Sequence, residues 1–144
     1  MKFLQFCRLV CNSSELVEYM RNARVLRSTI NCCQCNHPMT TNKYAQWVDG
    51  ICFRCSRCKA RKSIRSGSFL VDCKIPLQKF ACLLFLLDAE VPYKFIAETL
   101  EMDGGTITDY ANLLREERGK YLLSYGEKLG GIGRKVQVYN ILII

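Results

Sequence analysis

Four cysteines in two short pairs are the residues of this chain whose type and spacing best suit chemistry. They are Cys32, Cys35, Cys55 and Cys58, and about twenty residues separate the two pairs. Thiolates at this spacing can reach one tetrahedral cation from two tight turns without straining the backbone, and Zn²⁺ is the ion that such sites usually hold. The sequence therefore predicts a bound Zn²⁺ with these four cysteines as its ligands.

A disulfide scaffold is the competing interpretation, because ten cysteines in 144 residues would suit a small secreted protein. The N-terminal segment is interrupted by Arg8 before a signal-peptide core can form, and no small-residue cleavage site follows. We therefore expect no secretion and a reducing compartment, which is the nucleus in a eukaryote and the cytoplasm otherwise. Paired cysteines in such a compartment indicate a metal site.

Two neighbouring cysteines leave the ligand set open. Cys33 lies only two positions before Cys35, and Cys52 has the same spacing to Cys55 that Cys55 has to Cys58. We favour Cys55 over Cys52 because Cys55 adjoins the basic stretch and because a short strand, predicted over residues 47–53, leads into its turn.

The remaining metal-binding side chains are expected to lie outside the site. Four thiolates already complete a tetrahedron, so we expect the single histidine, His37, to occupy a solvated turn. The other cysteines lie in apolar company and are predicted to be small buried side chains: Cys7, Cys11, Cys73 and Cys82.

A cluster of positive charge runs through the second cysteine pair. Lysine and arginine outnumber aspartate and glutamate by 21 to 13, for a net charge of +8. The excess is concentrated in Arg54, Arg57, Lys59, Arg61, Lys62 and Arg65. Such a density attracts polyanions, of which nucleic-acid phosphate is the commonest. A solvated surface run or a nuclear localisation signal is the alternative, but the adjoining metal site favours contact with a nucleic acid, DNA or RNA.

The elements that carry these residues predict a small α+β protein in four parts. We assign residues 1–30 to an N-terminal helical segment, 31–70 to a zinc ribbon with its basic arm, 71–126 to a helical domain and 127–144 to a C-terminal segment. No apolar run is long enough to span a bilayer, so we expect no membrane partner. We also expect no small-molecule substrate.

Local signals predict where the helices begin. Asn12 can cap a helix, with Glu15 placed to reach back to it. Its apolar face is predicted to contain Leu16, Val17, Met20 and Ala23. Pro76 starts a second helix, and its apolar residues recur at helical spacing: Leu77, Phe80, Ala81, Leu84, Phe85 and Leu87.

A helix-turn-helix is predicted over residues 93–112. Ile96, Ala97 and Leu100 line a short helix, and the following Asp103-Gly104-Gly105 is predicted to form the turn. The next helix would bury Ile107, Tyr110, Leu113 and Leu114. Two apolar helices joined by a short glycine-containing turn are typical of this DNA-binding motif, although any helical hairpin has a similar pattern.

Several strings together resemble the N-terminal part of the Merlin-type (ISXO-like) DDE transposases. They are Cys55-x-x-Cys58, the run Lys62-Ser63-Ile64-Arg65-Ser66-Gly67-Ser68-Phe69, Ile96-Ala97, Thr106-Ile107-Thr108-Asp109-Tyr110 and Gly130-Gly131-Ile132-Gly133-Arg134-Lys135-Val136. The resemblance implies a zinc ribbon and a helix-turn-helix that recognise the ends of a transposon. In the family, a ribonuclease-H-like catalytic domain follows, and here the resemblance implies that residues 127–144 are a remnant of its first strand.

Two departures from the family change what the resemblance implies. The family's first catalytic aspartate is matched by Tyr139, and no later carboxylates follow, so the two-metal chemistry has no ligands and we expect no enzyme activity. Gly104-Gly105 replaces polar or basic residues at the start of the recognition helix, which leaves Thr106, Thr108, Asp109 and Asn112 to face a DNA groove.

These observations predict a transposase-derived, zinc-dependent DNA-binding protein without catalytic activity. The alternative is a truncated interaction protein that pairs with itself, with full-length transposase or with another partner and acts as an inhibitor, or a fragment without function. An RNA-binding zinc module would instead place stacking aromatic side chains beside the cysteines, for which Tyr44, Trp47, Phe53 and Phe69 are the candidates.

Overall fold

The computed structural model describes residues 2–124 and has a mixed α+β fold, as the sequence predicts. Its elements are α1 (Phe3–Cys11), α2 (Ser13–Asn22), β1 (Met39–Lys43), β2 (Ile51–Cys55), β3 (Arg61–Ser63), α3 (Leu77–Asp88), α4 (Tyr93–Leu100) and α5 (Gly104–Ser124). The C-terminal strand predicted from the transposase resemblance, including Tyr139, falls outside the described residues. None of the helices within residues 2–124 is both long enough and apolar enough to cross a bilayer.

The chain forms two compact units that divide between Cys82 and Leu83, inside α3. This division differs from the predicted boundary at residue 70, because hydrogen bonds join the start of α3 to the first unit. Leu77 N donates to Asp49 Oδ1 at 3.1 Å, and Gln78 Nε2 donates to Ser13 Oγ at 2.7 Å. The predicted 1–30 segment belongs to this same unit.

Helix α2 begins as its sequence predicts. Asn12 Oδ1 accepts hydrogen bonds from the backbone N–H groups of Ser14 and Glu15, and its amide donates to Glu15 Oε1 at 2.7 Å. The predicted apolar face is buried at Leu16, Val17 and Met20. Ala23 is exposed, contrary to the prediction, because it follows the helix as its C-cap. A further helix, α1, precedes Asn12 and buries Phe6.

The three strands form an antiparallel sheet in the order β1-β2-β3. Phe53, at the centre of β2, is fully buried, and Arg21 from α2 lies 5.7 Å from its ring centroid. Strand β2 begins at Ile51, not at Trp47 as predicted. The preceding residues form a turn instead, in which Gly50 N donates to Trp47 O at 2.8 Å and Gly50 adopts a φ of +64°.

In the second unit, α4 and α5 form a helical hairpin in which Ile96, Ile107 and Ala111 are buried. The predicted turn is displaced by one or two residues. Glu101 takes the left-handed conformation that ends α4, and the Asp103 carboxylate accepts from Gly105 N at 2.8 Å and caps α5. Gly104 and Gly105 therefore lie in the first turn of α5, because the Asp103 cap offsets their weak helix propensity.

Helix α3 follows Pro76 as predicted, with Leu77, Phe80 and Ala81 buried. Leu83 is also fully buried, although the predicted face did not include it. The other predicted apolar positions, Leu84, Phe85 and Leu87, are half-buried.

Candidate metal centre

The two cysteine pairs lie in two loops with the same backbone geometry, residues 32–37 and residues 55–60, which we call the cysteine loops. In each loop the backbone N–H of the fifth residue donates to the carbonyl of the first, at 2.9 Å from Asn36 to Cys32 and at 3.1 Å from Lys59 to Cys55. The fifth residue has a left-handed backbone in both, with φ of +53° at Asn36 and +63° at Lys59. The loops are thus two copies of one turn.

Each loop also closes at its base with a second equivalent hydrogen bond. Cys32 N donates to His37 O at 2.9 Å, and Cys55 N donates to Ala60 O at 2.9 Å. Because β2 ends at Cys55 and β3 begins at Arg61, the second loop is the turn of a β-hairpin. The sheet therefore sets the position of one cysteine pair directly.

Backbone N–H groups point at the cysteine sulfurs in matching positions of the two loops. Hydrogen bonds from the N–H groups of Gln34 and Cys35 hold the pKa of Cys32 at about 6, below its ordinary value. In the second loop the N–H of Cys58 lowers the pKa of Cys55, with a smaller contribution from Arg57. Such N–H···S contacts favour the thiolate, which is the form that binds a metal.

The four sulfurs converge on one point. Cys32 Sγ lies 3.4 Å from Cys58 Sγ, Cys35 Sγ lies 3.4 Å from Cys55 Sγ, and all four atoms lie within 4.8 Å of one another. A tetrahedron with metal–sulfur bonds of about 2.3 Å has sulfur–sulfur edges of about 3.8 Å. The spacing therefore fits four ligands of a single tetrahedral ion.

The electrostatics of the cluster call for a cation. The Ala60 N–H lowers the pKa of Cys58, but the neighbouring thiols and burial outweigh it and raise that pKa to about 12. At Cys35 the His37 N–H likewise lowers the pKa, and burial and the Cys55 thiol outweigh it, so that the net pKa is raised. Four sulfurs this close cannot all be negative unless a positive ion screens their repulsion.

The register of the cysteine pairs agrees with the sequence interpretation. Cys52 is 1% exposed in the core and lies outside the cluster, because it is an odd number of residues from Cys55 and so projects from the other side of β2. Cys33 and His37 are exposed and also lie outside the cluster. Cys11 is exposed and not buried as predicted. Cys7, Cys73 and Cys82 are half-buried.

The structure separates the predicted basic residues into distinct environments. Arg57 and Lys59 are exposed on the second cysteine loop, and Lys59 Nζ also donates to Ser56 O at 2.6 Å. Arg54 and Arg61 are directly opposite each other in the β2–β3 ladder, so they share one face of the sheet. Lys62 pairs with Phe53 and belongs to the other face.

Arg65 is not part of this basic surface, which corrects its prediction as a DNA contact. Its side chain is only 4% exposed, and its guanidinium donates to both oxygens of Asp49 at 2.7 and 2.5 Å. It also donates to the carbonyls of Cys73 and Ile75. Four of the five guanidinium N–H groups of Arg65 are thus already bound to protein oxygens.

Two aromatic side chains accompany Arg61, the exposed member of this arginine pair. The Arg61 guanidinium carbon lies 4.5 Å from the ring centroid of Tyr44, and the ring centroids of Tyr44 and Trp47 lie 6.3 Å apart at 74°. Phe53, another candidate for stacking, is fully buried in the core. Phe69 is half-buried.

The candidate DNA-facing residues of α5 lie at its N-terminal end. Thr108, Asp109 and Asn112 are exposed, and Thr106 is half-buried. Thr108 Oγ1 donates to Gly104 O at 3.0 Å. Arg115 is exposed and donates to Asn112 Oδ1 at 2.7 Å, which adds a cation that the sequence analysis missed although it follows Asn112 at helical spacing.

No protein-family model, no curated protein and no solved structure matches this chain.

Proposed function

We propose that this protein is a zinc-dependent DNA-binding protein, in which Zn²⁺ closes a ribbon made by the two cysteine loops and the sheet. The observation that supports this proposal is the convergence of the four cysteine sulfurs, together with the exposed cationic side chains of the second cysteine loop. The first unit would contribute binding affinity through contacts with DNA phosphates. The helical hairpin would contribute any preference for a particular base sequence.

Zinc is the metal that this ligand set favours. Four soft thiolates in a tetrahedron leave no position for water or substrate, which is the arrangement of a structural zinc site and not of a catalytic one. Zinc bound by peptides of this kind contributes about 10–16 kcal/mol of apparent free energy, enough to fold a small sheet.

The charge of the second cysteine loop supports DNA as the partner. Among residues 2–124, Arg54, Arg57 and Arg61 form no ion pair with a carboxylate, in contrast to Arg65. Unpaired cations on the second cysteine loop and on the strands that flank it attract a phosphate backbone and release its counterions on binding. If about four of the basic side chains contact phosphates, a plot of the logarithm of DNA affinity against the logarithm of salt concentration has a slope of about −3.6.

Two measurements test the two parts of this proposal. Metal analysis of the purified chain should give one zinc ion per chain, and fluorescence anisotropy with a labelled DNA duplex should give an affinity that falls with salt. Protein without zinc, or protein whose DNA affinity is independent of salt, would contradict the corresponding part.

The resemblance to transposases further supports an origin from a transposase that no longer catalyses strand transfer. Tyr139 lies where the family has its first catalytic aspartate, so this ligand of the family's two-metal site is missing. Added Mg²⁺ or Mn²⁺ should therefore produce no strand cleavage by the wild-type chain. Metal-dependent cleavage that is lost on mutating one of this chain's own acidic residues would overturn this interpretation.

An interaction protein is the second candidate, and the end of α5 favours it. Leu122 is 56% exposed and Leu123 is 84% exposed. An exposed apolar helix end of this kind is suited to self-association or to pairing with a related chain. Sedimentation of the wild type and of Leu122→Ser with Leu123→Ser tests this function. It is favoured if the wild type is a dimer and the double variant is a monomer, while Arg57→Ala with Lys59→Ala remains a dimer.

A further inference from the structure

The Arg61 guanidinium and the Tyr44 ring meet across the sheet although they lie far apart along the strands. Arg61 is in register with Arg54 and, through β2, with Thr40, whereas Tyr44 lies four residues after Thr40, just beyond the end of β1. The two side chains nevertheless approach to 4.5 Å between the guanidinium carbon and the ring centroid. Arg61 remains exposed, so its outer side is open to solvent.

A hydrogen-bonded turn holds the aromatic part of this arrangement. Tyr44 N donates to Gly50 O at 2.8 Å, and Trp47 N donates to Tyr44 O at 3.1 Å. Tyr44 Oη donates to Gln46 Oε1 at 2.5 Å. Trp47 meets Tyr44 edge-on, at 74° between the ring planes. The turn thus presents two aromatic rings beside the Arg61 guanidinium of β3.

Arg54 and Arg61 form a like-charged pair on this face. Charges of the same sign directly opposite each other destabilise an antiparallel ladder unless an anion lies between or beside them. Arg54 Nε is also shielded from solvent and has no hydrogen-bond partner among the described residues. An anionic group bound here would relieve the repulsion between the two arginines.

We propose that Tyr44, Trp47, Arg54 and Arg61 form a binding site for one unpaired nucleotide of DNA. Its base stacks on the Arg61 guanidinium and the neighbouring aromatic rings, and its phosphate contacts Arg54. This inference rests on the proposed function, and it names the form of DNA that the first unit prefers. A fully paired duplex cannot use the site because its bases are already stacked, so a single strand or a frayed end binds more tightly.

The single tryptophan makes the site directly observable. Trp47 is the only tryptophan of the chain. We expect a saturating oligothymidine, dT15, to quench its emission strongly, and a blunt hairpin duplex of equal charge to quench it much less. If the wild-type protein is quenched equally by both ligands, or binds the duplex more tightly, the proposed nucleotide site is contradicted.

Two substitutions remove stacking while they keep the charge. Arg61→Lys keeps a cation but loses the planar group, and Tyr44→Leu removes the supporting ring. Each should weaken dT15 binding by roughly tenfold, and Tyr44→Leu should change duplex binding by less than about twofold. Lys62→Ala is the matched control, because it removes charge from the adjacent residue on the other face of the sheet and should weaken both ligands by the same factor.

The outcomes distinguish this inference from the proposed function. If Arg61→Lys and Tyr44→Leu weaken both ligands equally or not at all, the stacking site is absent while DNA binding remains. If the wild-type chain binds neither ligand at low salt, the proposed function itself fails. Tighter binding of the RNA oligomer rU15 than of dT15 would overturn DNA as the ligand. Zinc content and circular dichroism confirm that each variant is folded.

Discussion

The Asp49 carboxylate and the Arg65 guanidinium form a two-pronged ion pair in the interior of the first unit, with Oδ1 and Oδ2 each accepting one hydrogen bond. Asp49 Oδ1 also accepts from Leu77 N, the first residue of α3. One carboxylate therefore joins the turn before β2, the segment after β3 and the start of a helix. This ion pair explains why Arg65, although it belongs to the basic stretch of the sequence, stabilises the fold.

Breaking this ion pair should destabilise the protein without removing a DNA contact. Arg65→Ala leaves Asp49 buried without its cation, and we expect the free energy of unfolding to fall by about 3–5 kcal/mol. Asp49→Leu combined with Arg65→Met should recover part of that loss, because no charge is then left buried. Urea denaturation with saturating zinc measures both. A loss below about 1 kcal/mol for Arg65→Ala would return Arg65 to the candidate phosphate contacts.

Removing one proposed zinc ligand should unfold the cysteine loops. Cys55→Ser or a chelator is expected to abolish zinc binding and to weaken the β-sheet signal in circular dichroism, because the second cysteine loop joins β2 to β3 and the proposed metal holds it closed. Cys33→Ser is the control, since Cys33 is exposed and lies outside the cluster. It should keep one zinc ion per chain. A folded Cys55→Ser variant would contradict a metal-dependent fold.

Zinc binding should release protons and weaken in acid. The pKa of Cys58 is raised to about 12 and that of Cys35 is also raised, so both thiols must lose a proton at neutral pH. The pKa of Cys32 is about 6, so its sulfur is already largely ionised there. We expect about two to three protons released per zinc at pH 7.5, with affinity falling as pH falls. Calorimetry in buffers of different ionisation enthalpy counts the protons, and release of fewer than about one would contradict the cluster's electrostatics.

The second cysteine loop should account for about half of the salt dependence of DNA binding. Arg57→Ala with Lys59→Ala is expected to flatten the slope of log affinity against log salt by about 1.8. Lys2→Ala with Arg24→Ala removes the same charge from exposed positions outside the proposed surface and should change the slope far less. Equal effects of the two double variants would mean that net charge, and not this loop, governs binding.

Lys59→Gly should separate stability from DNA affinity. Lys59 has a φ of +63°, which glycine adopts without the steric cost that a side chain incurs. We expect the variant to be more stable by up to about 1 kcal/mol, while the salt slope flattens by about 0.9. Asn36→Gly, at the equivalent position of the first loop, is the control and should stabilise the protein with no change in slope.

Local sequence signals were sufficient to predict the turns and helix starts, because these depend on interactions between residues close together in the chain. The spacing within each cysteine pair predicted the turns, because a tight turn brings two sulfurs together whatever surrounds it. Asn12 predicted the start of α2 and Pro76 the start of α3, because a cap and a fixed φ act within one helical turn. The choice of Cys55 over Cys52 was also correct, although it rested on a strand that begins later than predicted.

Tertiary structure decided which basic side chains are available to a partner. Arg61, Lys62 and Arg65 look equivalent in the sequence, but β3 sends Arg61 and Lys62 to opposite faces and the chain after it buries Arg65 against Asp49. The approach of Arg61 to Tyr44 likewise depends on strand pairing and on the turn at residues 44–50. The sequence determined the chemistry of these groups, and only long-range pairing and burial determined their surroundings, because both depend on residues far apart along the chain.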